Sequence, residues 1–310
     1  MIALLLACQP PVDSDATPIQ GIELTWLGVT TLLLQTQQTS LLLDPFFSRP
    51  AYGQEGSTLE GQERAASVLR AAGIEQLDAI VVGHSHFDHA VDVGTIAAQW
   101  GATVYGSPTT CAIASVQGLE PERCVPFAEE FTVGPLSITP IRTPHWWADV
   151  ASIGAHAVYE GEPDIDTVSA APNGGMYSLL IESADGRVFF QDSMDPLDAD
   201  DGSGVDFAAL IDAGLSGQPV DLWVMCGDCL TEASALAEYT ERLKPDAILP
   251  LHWDSTMPAL EAGVGVSFEA PEALLELGAE VLVPDDYRAR YRLDAGAFSA
   301  LAEPLSVPAR

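Results

Sequence analysis

The stretch Asp78-Ala79-Ile80-Val81-Val82-Gly83-His84-Ser85-His86-Phe87-Asp88-His89 decides how this chain is read. Its first half is short, apolar and partly β-branched, and it closes on a glycine, which predicts a buried strand over 78–83. Its second half holds three of the chain's 6 histidines. Two imidazoles two residues apart project together only where the backbone between them is extended or turning, and a strand end supplies that geometry. A turn opening directly afterwards brings Asp88 and His89 round to a neighbouring position. The segment therefore offers His84 and His86 to one metal ion, and Asp88 with His89 to a second. Neutral imidazole and carboxylate suit zinc, iron or manganese.

Four ligands are too few for two ions, and the chain supplies more, each at the tip of an apolar strand. His145 ends the predicted strand 136–143, Asp192 ends 188–191, and His252 ends 246–251. Around these tips the order of elements alternates. Three short strands come first, at 22–28, 31–35 and 40–44, followed by a helix over 58–72. Helices are predicted at 90–100 and 108–117, with a strand at 103–105 between them. After the strands that carry His145 and Asp192, helix–strand pairs follow at 204–214 with 220–225, and at 232–243 with 246–251. A helix at 271–277 and short strands near 280–283 and 288–292 close the pattern. Mixed strands with interleaved helices indicate a layered α/β protein. Residues 146–175 are irregular and rich in Gly, Pro, Asp and Ala, the mark of a functional or mobile loop.

Composition excludes several classes of function. The 310 residues carry 12 basic and 45 acidic side chains, a formal net charge of −33. Such a balance repels phosphate backbones, so nucleic acid is not an expected partner. Hydrophobic residues make up 47% of the chain, enough for a sizeable core and too many for a disordered one. No run of 18 apolar residues occurs, so no spanning helix is expected.

The motif His84-x-His86-x-Asp88-His89, followed by His145, Asp192 and His252, resembles the seven metal-ligand positions of the metallo-β-lactamase-fold hydrolases, in order. The resemblance spans roughly residues 21–285. Trp26-Leu27-Gly28 and Asp44-Pro45-Phe46-Phe47-Ser48 resemble the branch containing ascorbate-phosphate lactonases and N-acyl-phosphatidylethanolamine phospholipase D. In that branch His-Ser often follows Trp-Leu-Gly, where this chain has Val29-Thr30. The resemblance implies a four-layer αββα sandwich of two mixed β-sheets with the site at their rim. It implies one ion on His84, His86 and His145, a second on Asp88, His89 and His252, and Asp192 between them. Asp44 is expected to orient one of the ligands.

Those ligands imply a mechanism. Two divalent ions, zinc before others, bring four positive charges, and the candidate catalytic carboxylates Asp88 and Asp192 return two. The excess favours a hydroxide held between the ions, because coordination lowers the pKa of water from 15.7 to roughly 7. That hydroxide is the expected nucleophile on an ester, lactone or phosphodiester of a small-molecule substrate. No G-x-S-x-G occurs to suggest a serine nucleophile. His156 is a candidate leaving-group acid and also a candidate surface histidine. An iron-dependent redox enzyme on the same fold, of persulfide dioxygenase or flavo-diiron type, is the competing reading, and a non-catalytic metal-binding module is a third. Phe46, Trp146, Trp147 and Trp253 stand beside Asp44 or a ligand, either lining a substrate pocket or packing the sheet edges.

At the amino terminus, Leu5-Leu6-Ala7-Cys8 resembles a bacterial lipobox, and Gln9–Asp15 resembles a polar tether. Residues 1–20 are thus read as leader and tether, with lipidated Cys8 as a membrane anchor, and 21–310 as one hydrolase domain with the loop insertion at 146–175. An exported, periplasmic or membrane-anchored protein is expected, with the cytoplasm as the alternative. Export would let Cys111 pair with Cys124 and Cys226 with Cys229. The first bridge would close a loop of about 13 residues, worth about 3 kcal/mol. Cys226-Gly227-Asp228-Cys229 is read as a disulfide or buried thiols ahead of a redox motif.

Overall fold

Many of this chain's strands are apolar at nearly every position, which is the pattern of strands buried on both faces. A computed structural model describes residues 18–49, 56–145, 174–199, 203–229, 233–254, 263–264 and 272–307. The expected leader with Cys8 and most of the 146–175 insertion lie outside these residues.

Along the chain the strands are β1 (Ile22–Trp26), β2 (Leu32–Gln35), β3 (Ser40–Leu43), β4 (Ala79–Val81), β5 (Thr103–Gly106), β6 (Cys124–Pro126), β7 (Phe131–Val133) and β8 (Leu136–Arg142). They continue with β9 (Tyr177–Ser183), β10 (Gly186–Gln191), β11 (Leu222–Cys226), β12 (Ala247–Leu251), β13 (Glu280–Val281), β14 (Arg290–Asp294) and β15 (Ala297–Ala300). The helices are α1 (Leu59–Ala71), α2 (Phe87–Ala90), α3 (Val93–Trp100), α4 (Pro108–Val116), α5 (Phe207–Leu215), α6 (Ala233–Leu243) and α7 (Glu272–Leu275).

Two mixed sheets result. One runs β15-β14-β1-β2-β3-β4-β5-β6, and the other β13-β12-β11-β10-β9-β8-β7. The period-2 pleat then sorts side chains into layers. Leu32 and Leu34 of β2, Leu41 and Leu43 of β3, and Val81 of β4 face the space between the sheets. From the opposite sheet Val188 and Phe190, Leu222 and Val224, and Leu249 and Leu251 meet them there. The alternate residues Leu33, Leu42 and Ile80 face outward under helix residues such as Ala65, Leu69, Ile96 and Ile113. Phe189, Trp223 and Ile248 do the same under Phe207, Ile211, Leu236 and Leu274. Three apolar interfaces between four layers make the αββα sandwich that the family resemblance implies. Among the described residues no helix is long and apolar enough to cross a membrane.

Sequence and structure differ in places. The predicted helix 90–100 is interrupted: α2 ends at Ala90, and buried Asp92 precedes α3. The Asp92 carboxylate accepts the Phe47 and Ser48 amides and the Ser57 hydroxyl, which fastens the loop after β3 to the start of α3. Strands β6, β7 and β15 were not expected. Each is only three or four residues long and has exposed positions, so none shows an apolar run.

Both expected cysteine pairs are bonded, Cys111 to Cys124 and Cys226 to Cys229. The first joins α4 to the edge strand β6. The second closes the turn at the end of β11.

Candidate metal centre

The ligand-bearing residues sit where strands stop at one end of the sandwich. After β4 the chain runs through His84 to His86, which is extended (φ −61°, ψ 156°) and is the N-cap of α2. The His86 carbonyl accepts the amides of His89 and Ala90, so Asp88 and His89 ride on the first helical turn. This is the strand-end-then-turn geometry expected from the motif. Across the sandwich, the Gly83 carbonyl accepts the Tyr177 amide at 3.0 Å, tying the two sheets together beside the site. A side chain at position 83 has no room, because a Cβ there would lie 2.4 Å from Asp192 Oδ2.

The seven residues gather into two groups, a first of His84, His86 and His145 and a second of Asp88, His89 and His252, linked by a further cluster of His84, His89 and Asp192. In the first group His84 Nε2 lies 3.1 Å from His86 Nδ1 and 3.2 Å from His145 Nε2. Tetrahedral zinc with nitrogens at 2.0–2.1 Å places neighbouring donors about 3.3 Å apart. The observed spacing is close to that, so the donor set fits a zinc-sized cation. In the second group Asp88 Oδ2 lies 3.3 Å from His252 Nε2, and Asp88 Oδ1 lies 3.7 Å from His89 Nε2. Asp192 contacts one ring from each group, on the Nδ1 edge of both. Its Oδ2 is 2.8 Å from His84 Nδ1 and 3.5 Å from His89 Nδ1, and its buried Oδ1 has no hydrogen-bond partner among the described residues. His84, His89 and Asp192 are buried, while His86, His145 and His252 are partly exposed and mark the open side.

Carboxylates orient the buried rings. Asp44 Oδ2 lies 3.0 Å from His89 Nδ1, and Asp44 Oδ1 accepts the Gly83 amide. Thr30 Oγ1 donates to Asp44 Oδ2 and lies 2.9 Å from His89 Nδ1. With Nδ1 of His89 facing Asp44, and Nδ1 of His84 facing Asp192, both Nε2 atoms are turned toward the centre.

Proton affinities follow from burial and these charges. Burial pushes His86 down to about 4, and burial with neighbouring imidazoles holds His84 and His145 well below the usual value. Burial opposes a charged His89, but the carboxylates of Asp88, Asp44 and Asp192 outweigh it and push this ring up to about 9. His252 is likewise raised, because its contact with Asp88 outweighs burial. Burial would raise Asp88, but His89 and His252 hold it below the carboxylate range. Burial raises Asp44 and Asp192. The first group is therefore a set of neutral imidazoles, and the second is a mixed, charge-paired set.

The other candidates are distributed differently. Phe46 is fully buried and packs edge-on against Phe87 at 5.8 Å. Trp253 is 7% exposed, lies 5.3 Å from Trp26 and donates to the Pro250 carbonyl. For both, the described residues show interior packing in place of a pocket wall. Trp146, Trp147 and His156 lie outside the described residues.

Sequence reading missed a buried network on the second group's side. Asp254 Oδ2 accepts Arg49 Nη2 at 2.6 Å and the Tyr287 hydroxyl at 2.7 Å, and Asp254 Oδ1 accepts the Val29 amide at 2.9 Å. Asp254 stands two residues after a ligand, but nothing in the spacing couples it to Arg49, 205 positions away.

Comparison with known proteins gives the same fold. Residues 24–190 match the metallo-beta-lactamase superfamily. A metal-dependent hydrolase of Rubrobacter xylanophilus is 28% identical over 144 residues, 46% of this chain and 53% of that protein. This chain thus spans about half the length of that relative. A metal-dependent hydrolase of Heliobacterium modesticaldum is 24% identical over 268 residues, 86% of this chain and 96% of that one. The crystal structure of a possible metal-dependent hydrolase from Veillonella parvula superposes with a TM-score of 0.56 at 16% identity, covering 88% of this chain and 100% of the other.

Proposed function

This chain belongs to the metallo-β-lactamase superfamily, and on that footing we propose that it is a dinuclear metal-dependent hydrolase acting on an ester, lactone or phosphodiester. The observation that carries the reading is the pair of three-residue donor groups, His84 with His86 and His145 and Asp88 with His89 and His252, with Asp192 grouped with one ring of each. The hydrolase names of the relatives support it. Imidazole and carboxylate donors at these separations favour zinc.

Bound divalent ions would supply Lewis acidity and make a water acidic near neutral pH. The chain's own residues supply the rest. His84, His86 and His145 would hold one ion as neutral donors, and Asp88, His89 and His252 the other. Asp192 Oδ2 takes the proton side of His84 Nδ1, and Asp44 Oδ2 that of His89 Nδ1, which keeps both rings in the tautomer that points Nε2 inward. Asp88 and Asp192 bring two negative charges, fewer than two divalent ions need. With such ions bound, the remaining positive charge would favour an anionic nucleophile and would polarise a carbonyl or phosphoryl oxygen on the open side, where His86, His145 and His252 stand.

The test is a panel of lactones, phosphodiesters, thioesters and β-lactams assayed with zinc-loaded protein. Turnover of a lactone, ester or phosphodiester that stops on chelation agrees with the reading. Turnover of none of these, or one iron per chain with redox activity, contradicts it.

Two disulfides support a place for the chain in an oxidising compartment. This agrees with export and with an anchor at Cys8. Mass spectrometry of the membrane fraction tests it, with an acylated cysteine expected and an intact, unmodified Met1 contradicting it.

A further inference from the structure

We propose that Asp254, clamped by Arg49 and Tyr287, is a positioning residue for the second metal position, acting on His252 through the backbone of Val29. The inference rests on the two-ion reading.

His252 is held differently from the buried rings of His84 and His89. His84 and His89 each present Nδ1 to a carboxylate. The buried Nδ1 of His252 has no hydrogen-bond partner among the described residues. Its Nε2 lies 3.3 Å from Asp88 Oδ2, and the backbone that carries the ring is constrained as well. The His252 amide donates to the Val29 carbonyl at 3.0 Å, which also accepts Trp26 Nε1 at 3.0 Å. The Val29 amide in turn donates to Asp254 Oδ1 at 2.9 Å. The amide and the carbonyl of Val29 are thereby both tied to the turn that carries His252.

The conformations show that these ties matter. Val29 has φ 49° and His252 has φ 56°. A β-branched residue in the left-handed region is an outlier that persists only where its surroundings over-determine it. The clamp supplies that determination. Arg49 and Asp254 form an ion pair with side chains 1% and 0% exposed, and the Arg49 guanidinium lies 5.0 Å from the Tyr287 ring centre. A buried pair of this kind is a poor stabiliser compared with apolar packing, so its value here lies in holding one geometry. The next residue, Thr30, touches both His89 and Asp44. The turn at 28–30 therefore reaches two ligands of the second group, and none of these contacts involves His86 or His145.

The test is stepwise cobalt(II) titration of the metal-free full chain, read by the visible ligand-field spectrum and by calorimetry. His252→Ala identifies which step belongs to the second position. In Asp254→Asn the first step stays within about twofold of wild type, and the second weakens about 10–100-fold with a changed spectrum. Equal weakening of both steps, or an unchanged second step, overturns the inference. If Asp254→Asn does not unfold cooperatively, Tyr287→Phe decides. It removes one hydrogen bond to the clamp, and a smaller weakening confined to the second step is expected, while an unchanged or uniform response overturns the inference. Wild-type protein that binds a single ion overturns the two-ion reading itself, a result distinct from wild-type binding of two ions with an indifferent Asp254.

Discussion

Asp44 Oδ2 lies 3.0 Å from His89 Nδ1 at the floor of the centre, and Asp44 Oδ1 holds the Gly83 amide that starts the ligand segment. One carboxylate thus sets both the ring that faces the second position and the backbone that delivers the first. Replacing Asp44 with Asn keeps the shape but removes the charge that fixes His89's tautomer. Metal affinity is expected to fall about 10–100-fold, chiefly at the second position, in equilibrium titration. Unchanged affinity would show that Asp44 has no orienting role.

The raised proton affinity of His89 has a consequence for pH. Its folded-state pKa of about 9 lies above the ordinary 6.5, so the folded metal-free chain holds a proton that the unfolded chain has lost between these values. That contribution to stability is complete below pH 6.5 and disappears as pH rises to 9. The raised His252 acts in the same direction. The melting temperature of metal-free protein should therefore fall between pH 6.5 and 9. Metal-loaded protein should not show this loss, because a bound cation replaces the proton and binds more tightly as pH rises. A metal-free melting temperature that is flat or rising over this window would contradict the assignment.

Gly83 is required by steric approach. A Cβ would lie 2.4 Å from Asp192 Oδ2 and 2.9 Å from the Tyr177 carbonyl oxygen. Gly83→Ala should cost about 1–3 kcal/mol as overpacking and displace Asp192, so chemical denaturation and metal titration should both register it. Wild-type behaviour in both assays would mean that the strand end yields without cost.

The Cys111–Cys124 bridge closes a 13-residue separation. In the chain-entropy view its removal by paired Cys→Ser substitution lowers stability by about 3 kcal/mol. The bridge joins α4 to β6, and neither cysteine is one of the seven candidate ligands, so metal affinity should not change. A change in metal affinity with intact stability would reverse this assignment of roles.

Much of this architecture was legible in the sequence because the physics behind it is local. Leu32–Leu34, Leu41–Leu43 and Leu222–Cys226 are apolar on both faces, so they read as strands, and each polar ligand stands out at the end of such a run. The motif from His84 to His89 carried its geometry in its spacing. What the sequence hid is set by tertiary contact. Arg49 and Asp254 meet only because the fold brings the loop after β3, the turn after β12 and Tyr287 together, and no pattern links residues 205 apart. The break between α2 and α3 has the same origin, since Asp92 is held by the amides of Phe47 and Ser48. Phe46 and Trp253 sit next to the centre in sequence, but their rings pack inward, a direction that adjacency alone does not reveal.

Metal content per chain tests the central claim most directly, measured by elemental analysis on zinc-reconstituted, desalted protein. Two ions are expected in the wild type, with one in His145→Ala and one in His252→Ala. A wild type that retains one ion or none, or variants that each keep two, would contradict a paired centre built from these seven side chains.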